Sequence, residues 1–564
     1  MPDGSPEDST RVRAPGAGRE ASWPSWWPLA LFAAYTLLAL GLYQGALRGP
    51  DLFDDVIYLV SHPYMDRLSI ANLIEILNPW GPAKLYSANY APVHLLATAL
   101  ERHIFADDPL GYHLVNVLVH AGNATLLVAW LRSAGVPAFA AIGGGLFFLV
   151  HPANVEAVAW MSQLKTNGSL AFALGALLLL RRSPATAALL FALSLLTKAS
   201  GLFALPTAAA WLWADPQARR RDWLWLAGWL VIAALYAVPQ FSAFAHLGAV
   251  EVAAYEDPWV QVRSIAAVGA RYLAMAPVGF GVSAWQEPLP ALSWLDPWWL
   301  AALPLGLALG WRLAYTLRAR RLEAAFWLSA AAAFAPVSQV FPFLTPVANR
   351  YLYFILPGLI GGALLFAGSM QWSVSPRSPI RRAALAAPVA LMLWFGWQTA
   401  ERAALWQNET RLYLDAARHY PDGATAHILR ARSAAQLGDV EGSVRLLRGA
   451  VARGIDRFNA LEADYGLAPL RGTRQFEALL RDMAGDWIAL AQRRGYWTQP
   501  ELRFLAIAHT KRGEYAEAVL ALERALAVAG PLDEIVSAEL EGARQQRAAQ
   551  ESRSQEEADV PIRP

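Results

Sequence analysis

Asp54 and Asp55 stand side by side in the run Pro50-Asp51-Leu52-Phe53-Asp54-Asp55, just beyond an apolar stretch from Trp26 to Leu47. Ionisable groups beside lipid are costly and usually functional. A carboxylate pair at that place suits a general base, or an oxygen-rich cation clamp, for chemistry at a membrane surface. A solvated loop with three aspartates fits the position as well, so the other polar residues must decide. The chain has only four lysines, Lys84, Lys165, Lys198 and Lys511, against 47 Lys and Arg together. Two of them, Lys165 and Lys198, fall in tight turns between apolar stretches, where a lysine either snorkels to headgroups or meets an anion. Arg350, beside Asn349 at the start of another apolar stretch, either anchors a helix end or reaches a lipid phosphate.

These residues need a frame, and composition supplies it. Of 564 residues 56% are hydrophobic and 16% charged, against roughly 25% charged in soluble domains. Mean hydropathy is +0.28. The apolar residues come in blocks, as in a polytopic membrane protein. There is no cysteine, hence no disulfide and no thiolate chemistry. No basic run is interleaved with aromatics, which excludes nucleic-acid binding. No Gly-rich phosphate loop is present, which argues against a soluble nucleotide-sugar site.

Eleven stretches are expected to span: 26–47, 112–131, 136–152, 167–180, 184–197, 200–214, 223–241, 295–313, 324–343, 351–369 and 383–400. Several are shorter than the roughly 20 residues a span needs and must borrow flanks or be broken helices. With the N-terminus in the cytoplasm, Arg132, Arg181-Arg182, Arg219-Arg220-Arg221, Arg318-Arg320-Arg321 and Arg377-Arg381-Arg382 all fall on one side. Residues 261–283 are apolar enough to span but would break that rule. They are expected to be re-entrant or surface-lying; a split into a hairpin, giving thirteen spans, has the same parity and stays open.

Residues 1–25, polar and rich in Pro and Gly, read as a disordered cytoplasmic tail ahead of a membrane domain over 26–400 with an outer loop at 48–111. Residues 401–544 read as a soluble α-helical domain on the outer side. There Gly438 precedes Ala450 by the same interval that separates Gly513 from Ala525. Glycine between helices with alanine at the crossing is the tetratricopeptide pattern. Residues 545–564 read as a disordered tail. The fold class is therefore mainly α, a membrane bundle followed by a repeat-like helical domain.

In this orientation polar residues gather at the outer face: Asp54, Asp55, Tyr90 and His94, then His151, Asn154, Glu156 and Lys165, then Lys198, then Asn349, Arg350 and Tyr351. His62, His103, His113 and His120 read as core histidines satisfied by hydrogen bonds. No His/Asp/Glu set has a dedicated metal-ligand spacing; Asp54 and Asp55, with His94 or Glu156, could take Mg²⁺ or Mn²⁺ through oxygen.

Phe53-Asp54-Asp55, Tyr90-Ala91-Pro92-Val93-His94, the run His151-Pro152-Ala153-Asn154-Val155-Glu156-Ala157-Val158-Ala159-Trp160, Leu196-Thr197-Lys198 and Asn349-Arg350-Tyr351-Leu352-Tyr353 follow one another in this order. In this the chain resembles the transmembrane and tetratricopeptide-repeat O-mannosyltransferases and their bacterial relatives. The resemblance covers nearly the whole membrane part, and the His-Pro…Val-Glu-Ala-Val run is its most specific piece. It implies a GT-C glycosyltransferase taking a sugar from a polyprenyl-phosphate carrier on the non-cytoplasmic face. It implies that Asp54 and Asp55 are catalytic and that Lys165, Lys198 and Arg350 meet the lipid phosphate. Tyr90, His94, His151, Asn154, Glu156, Asn349 and Tyr351 become substrate-binding or supporting residues. Two motifs depart from the family: Ala91 stands where an arginine is common, and Asn349 where an aspartate is common.

The chemistry agrees with the residue types. Transfer from a lipid phosphate needs an activated acceptor hydroxyl and a neutralised leaving phosphate, with inversion if displacement is direct. Asp55 is the preferred base, although adjacent loop residues are not told apart by sequence. The acceptor is a protein or envelope glycan, with a protein partner expected at the repeat domain, and the Ala- and Arg-rich composition points to a bacterial inner membrane. Two other classes are weighed beside this one, an inactive repeat-bearing scaffold and a lipid-linked sugar transporter. A transporter would carry ionisable residues near mid-membrane and repeats among its spans.

Overall fold

The structure is a computed structural model that describes residues 26–60, 62–65, 68–87, 89–246, 257–340, 345–370, 379–493, 497–528 and 532–558. The tail expected over residues 1–25 lies outside them. No strand occurs among the described residues.

Each of the eleven apolar stretches folds as helix. They are α1 (Trp27–Tyr43), α5 (Pro109–Ser133), α6 (Ala138–Leu149), α8 (Leu164–Leu179), α9 (Pro184–Thr197), α10 (Ala204–Ala214), α11 (Arg220–His246), α13 (Pro297–Arg318), α14 (Glu323–Phe334), α15 (Asn349–Gly368) and α16 (Pro379–Ala403). Four of them, α5, α11, α13 and α15, are long and apolar enough to cross a membrane by themselves among the described residues. A fifth crossing comes from α6 and α7 (Val155–Ala159) if the 48° bend between them lies within one span. Helices α1, α9, α10 and α14 are apolar but shorter. The segment between α1 and α5 carries α2 (Ile70–Leu77), α3 (Ala83–Tyr86) and α4 (Pro92–Phe105).

Local sequence explains where helices begin. Three Asp-Pro pairs each open one. Asp108, Asp257 and Asp296 accept hydrogen bonds from Leu110, Trp259 and Trp298 backbone N–H at 2.8–3.0 Å, and the proline that follows occupies the first turn. Small residues explain how close helices come. A Cβ on Gly358 would lie 2.6 Å from the Phe326 carbonyl oxygen and the Ala330 nitrogen, so α14 and α15 cross at backbone contact. Trp130, fully buried, packs tilted against Phe326 with ring centroids 4.1 Å apart.

Residues 258–278 form one continuous helix, α12 (Pro258–Val278), closed by Gly279 at φ +67°. The hairpin alternative is thereby overturned. The one proline inside the helix, Pro277, falls in its last turn, so nothing breaks it midway. Arg263 and Arg271 lie over Trp294 and Trp298 at 4.3 and 4.6 Å, beside the start of α13.

The helical domain comprises α17 (Glu409–His419), α18 (Ala424–Gln436), α19 (Val440–Val451), α20 (Phe458–Ala463), α21 (Arg474–Gln492), α22 (Gln499–Arg512), α23 (Tyr515–Ala527) and α24 (Asp533–Ala558). The pairs α18–α19 and α22–α23 pack as hairpins whose turns hold Gly438 and Gly513 at φ +78° and +77°, a region that favours glycine. Ala450 and Ala525 are fully buried at the crossings. The disordered tail expected from Gln545 is instead helix as far as Ala558: Glu, Gln, Arg and Ala favour helix, and Arg547 pairs with Glu551 at 2.8 Å one turn on. Residues 559–564 lie outside the described set.

This domain docks on the segment after α12. The Ala284 N–H donates to Asp415 at 2.7 Å, and the Arg402 guanidinium donates to the Val282 carbonyl. Glu287 accepts from the Thr425 N–H at 3.1 Å, placing a carboxylate at the N-terminus of α18. Tyr420 donates to Gln286, and Gln286 donates to Asn349 at 2.8 Å.

Candidate active site

The residues before Asp54 set its geometry. Phe53 adopts φ +53°, unusual for a side chain of its size, and strain of that kind concentrates at functional sites. Its ring is held between Trp160 (5.7 Å), Trp285 (5.3 Å) and Tyr413 (6.2 Å). The left-handed turn sends the two aspartates different ways. Asp55 is buried and accepts from the Leu52 N–H at 3.0 Å and the Ser162 N–H at 2.7 Å. It ties the segment after α1 to the turn before α8. Asp54 is 42% exposed at its side chain and meets Lys165 at 3.4 Å through one oxygen; the other accepts no hydrogen bond among the described residues.

The His151–Trp160 run is the most thoroughly buried part of the chain, in an uninterrupted buried stretch over residues 148–164. Its first half is structural. His151 accepts from the Ala153 N–H at 3.2 Å and bonds the Ala276 carbonyl at 3.0 Å, while Asn154 donates to the Phe148 carbonyl at 2.7 Å. These bonds hold the bend between α6 and α7. Irregular backbone at membrane depth is tolerated where it is buried in protein. The bend delivers Glu156 to Arg350. Its carboxylate accepts from the Arg350 N–H at 3.0 Å and pairs with the guanidinium.

Three cations thereby converge. The Lys165 ammonium lies over the Tyr58 ring at 4.5 Å. Lys198, in the extended residue after α9, donates to Thr166 at 2.7 Å. Arg350 lies over Trp160 and Tyr351 at 5.3 and 5.0 Å. Burial first, then the like charges of Lys165 and Arg350, push Lys198 well below the usual lysine range. Burial, with Lys165 and Lys198, likewise holds His94 well below the usual histidine range. His94 packs on Tyr58 with ring centroids 5.0 Å apart.

Asp54, Tyr58, His94, Glu156, Lys165, Lys198, Arg350 and Tyr351 thus share one cluster. Asn349 supports it from behind, accepting from Gln286 and donating to the Ser283 carbonyl. Tyr90 sits apart: its hydroxyl donates to the Leu77 carbonyl at 2.9 Å and its N–H to Gln240 at 3.0 Å. His113 and His120 bond the Gly49 and Leu149 carbonyls at 3.4 and 3.1 Å, as core histidines do. His103 is exposed, and His62 is buried against the rings of Tyr64 and Tyr86. Tyr58 and Thr166 were not singled out in the sequence. Tyr58, four residues after Asp54, carried the only available signal, a shared helical face.

The donor set does not fit a metal ion. Among the described residues no three His, Asp or Glu side chains converge on one point. Both Asp55 oxygens accept backbone N–H, and Glu156 is taken by Arg350. Only Asp54 has a spare oxygen, and no step is derived through Mg²⁺ or Mn²⁺.

The chain is 31% identical over 135 residues to protein O-mannosyl-transferase Tmtc1 of Drosophila melanogaster, covering 23% of this chain and 16% of that protein. It is 30% identical over 177 residues to protein O-mannosyl-transferase F38B6.6 of Caenorhabditis elegans, covering 29% and 25% respectively. With protein O-mannosyl-transferase TMTC2 of Mus musculus it shares 29% over 125 residues, 22% of this chain and 15% of that protein. The chain resembles the protein O-mannosyl-transferases. Each match spans a quarter or less of the relative's length. No family model and no solved structure matches the chain. Asn349 precedes Arg350, and the carboxylate beside the arginine comes from Glu156.

Burial pushes the Asp55 carboxyl up to about 7, against the pull of the Leu52 and Ser162 N–H groups. The sign follows directly. An unfolded aspartate titrates near 3.9, so the fold favours the protonated form between about pH 4 and 7. The stability contributed by Asp55 is complete below pH 4, falls as pH rises to about 7 and is flat above. Relative to Asp55→Asn, wild-type protein in detergent is expected to lose on the order of 4 kcal/mol over that window. Thermal unfolding of both proteins from pH 4.5 to 8 gives the difference; parallel curves would contradict it.

Proposed function

We propose that this chain is a membrane glycosyltransferase of the GT-C type. It moves a sugar, mannose by analogy with the named relatives, from a polyprenyl-phosphate carrier to a hydroxyl of a protein or envelope glycan. The observation that carries the reading is the convergence of Lys165, Lys198 and Arg350, whose mutual repulsion only two carboxylates offset. A phosphate oxygen set relieves that repulsion. Asp54, the carboxylate with a spare oxygen, is the base, and Asp55, preferred from sequence, fixes the loop. The acceptor oxygen forms a bond to the anomeric carbon as the bond from that carbon to the phosphate oxygen breaks. The acceptor proton passes to Asp54, and the released phosphate stays against the cations. Attack opposite the leaving group inverts the centre.

The same proposal places the cluster on the non-cytoplasmic face of a bacterial inner membrane. The N-terminus is then cytoplasmic, all eleven helices cross or enter the bilayer, and the helical domain presents the acceptor on the outer side as a tetratricopeptide-like module. The test is reconstitution in vesicles with a short-chain polyprenyl-phosphate mannose and a serine- or threonine-rich peptide. Release of polyprenyl phosphate in step with mannosylated peptide is expected. Movement of the lipid across the bilayer without a new glycosidic bond would establish a transporter instead, and neither result would leave a scaffold.

A further inference from the structure

The bundle holds a second collection of charge far from the first. A cavity of about 880 Å³ is lined by Arg132, Arg181, Arg182, Arg219 and Arg221 against Asp215 and Asp222. It opens where α5, α8, α10 and α11 meet. Asn116 of α5 donates to the Trp160 carbonyl beside the catalytic cluster at 3.0 Å. Arg132 lies sixteen residues further along the same helix, or about 24 Å at 1.5 Å per residue. The two sites therefore sit toward opposite ends of the bundle.

The acids in this cavity are already engaged. Asp215 pairs with Arg181 and accepts the Gln217 N–H at 2.8 Å; Asp222 accepts the Arg219 N–H at 2.8 Å and lies 3.7 Å from Arg181. Arg182, Arg219 and Arg221 have no carboxylate within ion-pair distance among the described residues. The other walls are apolar: Trp27, Trp211, Leu177 and Leu178. Trp223, near the start of α11, is exposed, as tryptophans are at headgroup depth. A soluble anion has no use for those walls, whereas a phospholipid fits both parts, phosphate on the arginines and acyl chain along the tryptophans and leucines.

We propose that this cavity is a binding site for a phosphate-bearing anion, the headgroup of an anionic phospholipid, in the leaflet opposite the catalytic cluster. It is separate from the sugar donor and does not depend on the chain being a transferase. The full chain would be purified in an uncharged detergent and titrated with phosphatidylglycerol and, separately, with inorganic phosphate. Bound lipid is counted by native mass spectrometry and stability read as Tm. Wild type should retain one tightly held phosphatidylglycerol with a rise in Tm. The triple variant Arg182→Gln, Arg219→Gln, Arg221→Gln should bind it about 100-fold more weakly, each arginine near the surface contributing about fivefold. Protection by inorganic phosphate that the same variant abolishes would also support the anion site and name a soluble source. The charge-matched variant Arg318→Gln, Arg320→Gln, Arg321→Gln, which leaves the cavity lining intact, keeps the response. Equal responses from wild type and the cavity variant, or equal losses in both variants, would overturn the proposal. Tm in detergent alone shows that each variant is folded.

Discussion

Asp54→Asn is expected to lower sugar transfer by about 10²–10⁴-fold, the usual contribution of a positioned general base, and to leave Tm and expression close to wild type. The small effect on stability follows from exposure: the side chain is 42% exposed and its one ion pair is at 3.4 Å. Donor binding should change little, because the three cations remain. Asp54→Glu restores part of the rate if the added methylene still reaches the acceptor. The measurement is the rate of polyprenyl phosphate release at saturating donor, beside a melting curve. Wild-type turnover in Asp54→Asn would remove the base, and unchanged biological function with no measurable transfer by either protein would favour the scaffold.

The second large effect lies at Arg350. Arg350→Ala should raise the KM for the lipid donor far more than that for the acceptor, with Arg350→Lys recovering only part, since a lysine cannot offer two parallel donors to a phosphate. Glu156→Gln should cost about 3–5 kcal/mol of stability, because it leaves a guanidinium in a buried site without its carboxylate. The double change Arg350→Met, Glu156→Leu separates the two roles. Removing both charges with apolar side chains of similar size should recover most of the stability, yet the protein should stay without activity. An active double variant would mean that the pair only holds the fold.

The frame was legible in the sequence to a large extent. Apolar stretch length located all eleven bundle helices. The glycine and alanine spacing located both hairpins of the helical domain. Other features are set by contacts between distant residues. Glu156 and Arg350 are 194 positions apart, and no local pattern shows that a bend after α6 aims one at the other. Asp54 and Asp55 are equivalent by sequence; the positive φ of Phe53 and the N–H of Ser162, 107 residues later, divide them. Residues 261–283 left a hairpin open, which the single helix α12 closes, and its two arginines lie over tryptophans of the next segment.

The docking of the helical domain has a consequence for anyone wishing to exchange it. The composition changes near Glu401, which invites a chimera joined there. Yet Tyr413 touches the ring of Phe53, Asp415 holds Ala284, Tyr420 reaches Asn349 through Gln286, and Thr425 caps on Glu287. Tyr413 and Asp415 belong to α17, Tyr420 follows it directly and Thr425 lies in the first turn of α18. A graft cut at residue 401 removes part of the wall behind Arg350 along with the rest of the helical domain. The usable seam lies after Gln436, where α18 ends, so the first two helices of the helical domain travel with the bundle as its own lid.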